Sequence, residues 1–243
     1  MRDDQACGLR SLFVRQRPAV LGVLGEGASR IALEIARALH DAGRRVLLLD
    51  RTFGEVARAL GRAARWELKH GLAGERTLQQ IALEASPGLV VMPAARALEG
   101  LDRRPAAQWW LLCEALDALG PFDVVLLAGA PPAVPEAGVL LCLAPTSTAI
   151  TQAYTELKRL GRGAIRRRCD IVVHGTRSEA AALDAFDSVA LTAGRFLGMS
   201  LALAGTLPGG APNGDDAARH GAAMRIGERL LATAIAPAVA VNH

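Results

Sequence analysis

Seven short apolar runs, separated by stretches of helical spacing, restrict this chain more than any other feature of its sequence. AVLGVL (19–24), RVLLLD (45–50), GLVVM (88–92), DVVLLA (123–128), GVLLCLA (138–144), DIVVH (170–174) and LALAG (201–205) are each of strand length and nearly continuous in apolar residues. A strand without a polar side belongs in a sheet covered on both faces. Between these runs the spacing predicts helices over 28–42, 76–85, 106–119, 147–160, 178–197 and 215–235. Gly221 and Gly227 disfavour the last of them. Strands alternating with helices imply right-handed βαβ crossovers, hence an α/β fold: a mostly parallel sheet flanked by helices on both faces. TLPGGAPNGD (206–215) reads as a loop from its composition. RQRP (15–18) sets a short N-terminal segment, 1–17, apart from one α/β domain over 18–243.

Composition narrows the function classes. A chain of 243 residues is long enough to bury a full core. It contains no apolar run of the length a membrane-spanning helix needs. The first residues, MRDDQACGLRSLF, carry acids and lack the apolar stretch of a secretory signal. Cys7, Cys113, Cys142 and Cys169 are scattered, without C-x-x-C spacing or neighbouring histidines. They read as reduced thiols of a cytoplasmic protein, with no metal site. A net charge of +4 raises the question of nucleic acid or anionic lipid. Aromatic residues make up only 4% of the chain, too few for base-stacking platforms, and Arg166-Arg167-Arg168 reads as a solvated loop before a strand. No specific nucleic-acid partner is expected.

In GVLGEGAS (22–29), three glycines follow a strand and open a helix. Such a loop can turn backbone N–H groups and a helix N-terminus toward a phosphate. A dinucleotide fingerprint fits in part: Gly25 and Gly27 match G-x-G-x-x-G, Arg30 breaks it, and Asp50 ends the second strand where a ribose-binding acid belongs. A tight strand-to-helix turn that binds nothing is the plainer reading.

The order of segments resembles the MinD/ParA class of deviant Walker ATPases, whose phosphate loop reads G-K-G-G-x-G-K-[ST]. Gly22, Gly25, Gly27 and Ser29 match that pattern without a gap. Val23 stands at the signature lysine, Ala28 at the P-loop lysine and Leu24 at a glycine. The switch I pattern D-A-D-x-G has become Asp50-Arg51-Thr52-Phe53-Gly54, losing its second acid. Ala128 and Gly129 occupy the Asp-Thr position of switch II, and His174 that of an asparagine near the base, where it reads as a polar residue ending a strand. A lysine about 4 Å from a phosphate charge is worth roughly 4 kcal/mol at an effective dielectric of about 20. At about 1.4 kcal/mol per decade, two missing lysines remove several decades of affinity. Phosphoryl transfer relies on positioning and charge neutralisation. The resemblance therefore implies a P-loop NTPase-like fold with a degenerate site: no cofactor is expected, residual ATP binding is weak, and hydrolysis is absent. A working ATP-dependent membrane switch, a ParA-like DNA binder and a dinucleotide enzyme are the alternatives.

Two further stretches narrow the resemblance. APTSTAITQAYTELKRL (144–160) and IVVHGTRSEAAALDAFDSVALTAGRFL (171–197) are similar to the corresponding segments of the FlhG/FleN regulators of flagellar number. Asp4-Gln5-Ala6-Cys7-Gly8-Leu9-Arg10 reproduces their N-terminal D-Q-A-x-x-L-R motif. In that family the motif docks on the FlhF-type flagellar GTPase and stimulates it. On a helix, Ala6, Leu9 and Phe13 share one face as anchors, Asp4 suits the N-terminus, and Arg10 can pair with an acid. Gln5 is then placed to orient an attacking water in the partner's site, as glutamine does in other GTPases. Other partners implied by the resemblance are the flagellar transcription activator and the switch-ring proteins. It also implies a cytoplasmic protein in peripheral contact with the cell pole or inner membrane. Met224, Leu230, Leu231, Ala234 and Ile235 form an apolar stripe near the C-terminus, read as a helix packing on the sheet. Large aromatics that would anchor an interfacial helix are absent from it.

Overall fold

The computed structural model describes residues 17–99, 105–131, 134, 137–161, 169–176, 178–209 and 216–235. In chain order the elements are β1 (Ala19–Gly25), α1 (Ala28–Asp41), β2 (Val46–Asp50), α2 (Glu55–Ala59), α3 (Leu68–Leu72), α4 (Leu78–Ile81), β3 (Leu83–Ser86) and β4 (Leu89–Pro93). Then follow α5 (Ala106–Leu116), a 3-10 turn (Asp117–Leu119), β5 (Val124–Ala128), β6 (Gly138–Leu143), α6 (Ser147–Gly161), β7 (Cys169–Thr176), α7 (Glu179–Leu197), β8 (Leu201–Pro208) and α8 (Asp216–Ile235). The strands form one eight-stranded sheet in the order β3-β4-β2-β5-β1-β6-β7-β8. Every neighbouring pair is parallel except β3 with β4.

Alternation along each strand divides the core into layers. Leu21 and Val23 of β1, with Val46 and Leu48 of β2, pack beneath α1 and α8. Val20, Leu47 and Leu49 face the other way, onto Trp109 and Cys113 of α5 and Leu68 of α3. On that same side Leu24 and alternate residues of β6 and β7 meet α6 and α7. The buried thiols belong to these layers. Burial pushes Cys113 and Cys169 up to about 12 and raises Cys142 further, so none is a ready nucleophile at neutral pH.

The expected α/β sheet is present, with one strand more than the apolar runs predicted. The helix expected over 76–85 is confined to Leu78–Ile81. Thr77 and Gln80 form a reciprocal capping box that starts this turn, and Ala82 is already extended. Leu83–Ser86 then pairs antiparallel with β4 as a half-buried edge strand, which its short length kept from standing out. The strand expected over 201–205 extends to Pro208, three residues into the expected loop. Helices α2 and α3 follow β2 in a stretch without a clear sequence period.

Helix α8 packs as the stripe reading anticipated, with Leu230 and Leu231 buried beside Ala222, Ala223 and Ile226. Nothing is described of the Ala234 and Ile235 side chains. Arg219 anchors the helix by an ion pair to Glu34 at 2.8 Å and by donating to the carbonyl of Pro208. Gly227, which weakened the helix assignment in the sequence, is where α8 crosses α1: a Cβ there would lie 2.9 Å from Leu39 Cδ2. No helix among the described residues is long and apolar enough to cross a membrane. Because Leu39 is fully buried, Gly227→Val is expected to overpack the crossing and cost about 1–3 kcal/mol, read as a lower urea midpoint with an unchanged slope.

Candidate functional site

In an open parallel sheet, ligands bind beyond the C-terminal ends of the strands, where neighbouring crossovers diverge. Here that position lies above β1, flanked by β5 and β6. A phosphate loop reads G-x-x-x-x-G-K-[ST], and the residues between the glycines must leave the sheet so that their N–H groups converge on an anion. Gly22 and Gly27 bracket the corresponding stretch, but the chain does not leave the sheet. Val23, Leu24 and Gly25 remain in β1, opposite Leu140, Leu141 and Cys142 of β6. Val23 also pairs with Ala128 of β5. Both Val23 and Leu24 are buried, filling opposite faces of the core.

Only Glu26 and Gly27 connect the strand to α1. The reversal requires positive φ at Gly25 (91°) and Gly27 (71°). Gly25 is needed for space as well, since a Cβ would fall 2.4 Å from the Cys142 carbonyl oxygen. His174, on β7, closes over this turn: its Nε2–H donates to the Glu26 carbonyl at 2.9 Å. Its Cε1 sits 3.3 Å from where a Cβ on Gly27 would be. Burial lowers the His174 pKa below its ordinary value, with the nearby Arg219 adding to that effect, while Glu26 and Glu34 pull the other way. Neutral imidazole holds the turn. The expected role of His174 as a mere strand-ending polar residue is thus corrected to a latch on the loop.

The remaining candidate residues are engaged within the protein. The buried Ser29 hydroxyl, at the position of a magnesium ligand, donates to Glu55 Oε2 at 2.6 Å. The buried Asp50 carboxylate accepts the Thr52 N–H at 2.8 Å, the Thr52 hydroxyl, and the Val56 N–H at 3.2 Å. It clamps the loop after β2 and helps start α2. Thr52 and Gly129, two positions that depart from the family pattern, meet each other. A Cβ on Gly129 would lie 2.6 Å from the Thr52 methyl carbon. Gly129 also has φ 84° and donates its N–H to the Val23 carbonyl at 2.9 Å. The backbone of Val23 to Gly25 is held in the ladder with β6 and the Ser29 hydroxyl is engaged by Glu55, an arrangement that differs from an open phosphate loop.

Gly25, Gly27, Ser29 and Asp50 therefore lie toward the C-terminal ends of interior strands, with Gly22 inside β1, in a geometry their spacing did not reveal. The contacts of His174 and Glu55 were missed, since each joins segments far apart in sequence. Asp4, Gln5, Ala6, Leu9, Arg10 and Phe13, and with them the proposed partner segment, lie outside the described residues.

No family model matches this chain. The antiactivator FleN of Pseudomonas aeruginosa is 27% identical over 197 residues, covering 76% of this chain and 70% of that protein. The MinD cell division protein of Aquifex aeolicus superposes with a TM-score of 0.63 at 17% identity, over 89% of this chain and 97% of that one. The chain is FleN-like, on a MinD/ParA fold. A ParA family ATPase from Chlorobium tepidum gives a TM-score of 0.57 at 17% identity, covering 90% and 98% of the two chains. Cobyrinic acid a,c-diamide synthase from Mycobacterium smegmatis, solved with ADP and magnesium, gives 0.62 at 19% identity, over 88% and 94%. The FleN-like chain shares this fold while its loop residues stay in the central strand.

The latch has a pH signature. His174 is held below its ordinary pKa, so the unfolded chain takes up the proton first as pH falls. The stability it contributes is complete above about pH 6.5 and is lost as pH drops toward the folded-state value. Urea midpoints between pH 7.5 and pH 5 should fall more steeply for the native chain than for His174→Gln, whose amide keeps the donor without titrating. Parallel curves would remove the neutral latch.

Proposed function

We propose that this FleN-like chain regulates flagellar number or placement by protein contact, as a pseudo-ATPase whose nucleotide switch has been given up. The observation that carries this reading is the continuation of β1 through Val23 and Leu24, where a phosphate loop would have to open. Opening it would strip two buried side chains from the core, and burial of each is worth about 1.5–3 kcal/mol. No lysine of the loop offsets that cost, because Val23 and Ala28 stand at both lysine positions.

Partner work then falls to the N-terminal segment. In this proposal residues 4–13 dock on an FlhF-type GTPase through Ala6, Leu9 and Phe13, and Gln5 orients the attacking water. The flagellar transcription activator and the switch-ring proteins are further candidate partners, met in the cytoplasm or at the inner membrane of the cell pole. A MinD-like ATP switch is the competing reading. It rests on Gly25, Gly27 and the N-terminus of α1, which still stand at the site.

Two measurements decide. GTP turnover by an FlhF-type GTPase should rise on adding the full chain and should not rise with Gln5→Ala. Absence of stimulation by a folded chain would remove the activator role. ATP titration is expected to give a Kd weaker than about 1 mM, equivalent to about −4 kcal/mol. Micromolar affinity would instead restore the ATP switch.

A further inference from the structure

Beside the closed loop, at the C-terminal ends of β2 and β4, the surface opens into a cleft of about 410 Å³. Its floor is apolar and buried: Pro93, Ala94 and Ala95. Arg58 of α2 and Arg65 of the loop before α3 also line it, both exposed. Neither forms an ion pair with a carboxylate among the described residues. Arg58 Nε reaches the Gly54 carbonyl at a long 3.4 Å, and Arg65 lies 5.5 Å from the Trp66 ring centroid. The acids of the cleft are already committed. Asp50 is held by Thr52 and Val56, and Glu67 accepts from both the backbone N–H and the guanidinium of Arg96. The uncommitted charge is therefore positive.

Phe53 rises at the mouth, 73% exposed. It is the one non-glycine residue with positive φ among the described residues, at 54°. A phenylalanine is strained in this conformation and gains nothing in folding from solvent exposure. The Asp50 clamp holds the backbone on either side of it, at Thr52 and Val56, and the Arg96 guanidinium lies 6.0 Å from the ring centroid. A projecting aromatic beside unpaired arginines is the composition of an interface hot spot.

We propose that this cleft docks an acidic segment of a protein partner, with carboxylates on Arg58 and Arg65, an apolar side chain on the alanine floor and Phe53 packed against the partner. Guanidinium forks match carboxylates bidentately, which sets register as well as charge. The cleft is a surface depression rather than an enclosed cavity, so a small ligand would stay partly uncovered in it. Phe53 lines the cleft yet is 73% exposed, leaving apolar ring surface for a partner side chain to cover. The cleft is built wholly from residues between Asp50 and Arg96, so the proposal does not rest on any action of the N-terminal segment on a GTPase.

The test is fluorescence anisotropy of a labelled peptide of Asp and Glu around a central Leu, titrated with the full chain. Saturable binding is expected, weakening with salt and shifting the Trp66 indole N–H resonance. Arg58→Glu with Arg65→Glu should weaken it about tenfold or more, equivalent to about 1.4 kcal/mol. Phe53→Asn should leave the unfolding midpoint unchanged or higher, since asparagine tolerates positive φ, while the Asp/Glu peptide extended by a second Leu binds less tightly. Equal binding of the Asn/Gln analogue peptide, or full binding by the folded arginine double variant, would overturn the proposal. Displacement of the peptide by free glutamate at matching concentrations would make the cleft a small-anion site instead and likewise overturn it.

Discussion

The parallel ladder that holds β1 between β5 and β6 is the constraint on which the rest of the site depends. As β1 stays extended as far as Gly25, the chain has only Glu26 and Gly27 in which to turn into α1. That demand sets the left-handed glycines and the close approach of Gly25 to the Cys142 carbonyl. It also leaves room for the imidazole of His174 to rest on the turn. A strand in this position gains ladder hydrogen bonds and apolar burial, both of which an open phosphate loop would forgo.

A second fixed point is Asp50. It ends β2, pairs in register with Ala128 and is almost wholly buried. A buried carboxylate must be satisfied, and this one is, by donors from Thr52 and Val56. The same bonds shape the loop that carries Phe53 and start the helix from which Glu55 reaches Ser29. One acid at the end of a strand thereby organises both the closed loop and the open cleft next to it.

Much of the sheet was readable in advance, because strands buried on both faces leave unbroken apolar runs such as VLLLD and DVVLLA. The edge strand β3 was not, since Leu83–Ser86 is short, half-buried and preceded by a capped turn that mimics a helix start. The substitutions at Val23, Ala28, Thr52 and Gly129 were legible as missing chemistry. What replaced that chemistry was not. GVLGEGAS has the glycines of a loop, and only its register against Leu140 and Leu141 of β6 reveals that Val23 and Leu24 are strand. The closure by His174 depends on a contact across 148 positions of sequence. Local pattern carries no trace of such a pairing.

The meeting of Thr52 with Gly129 bears on which substitutions the fold tolerates. A side chain at position 129 would collide with the Thr52 methyl, and Gly129 adopts a backbone angle that side chains disfavour. Val23 likewise lies in the core, where a lysine would bring an uncompensated charge into apolar surroundings. Larger or charged groups at either position would disturb the packing before they met any ligand. The two positions are tied together as well, because the Gly129 N–H donates to the Val23 carbonyl. Mechanically the site behaves as an interlock, in which a change at one part is felt at its neighbour.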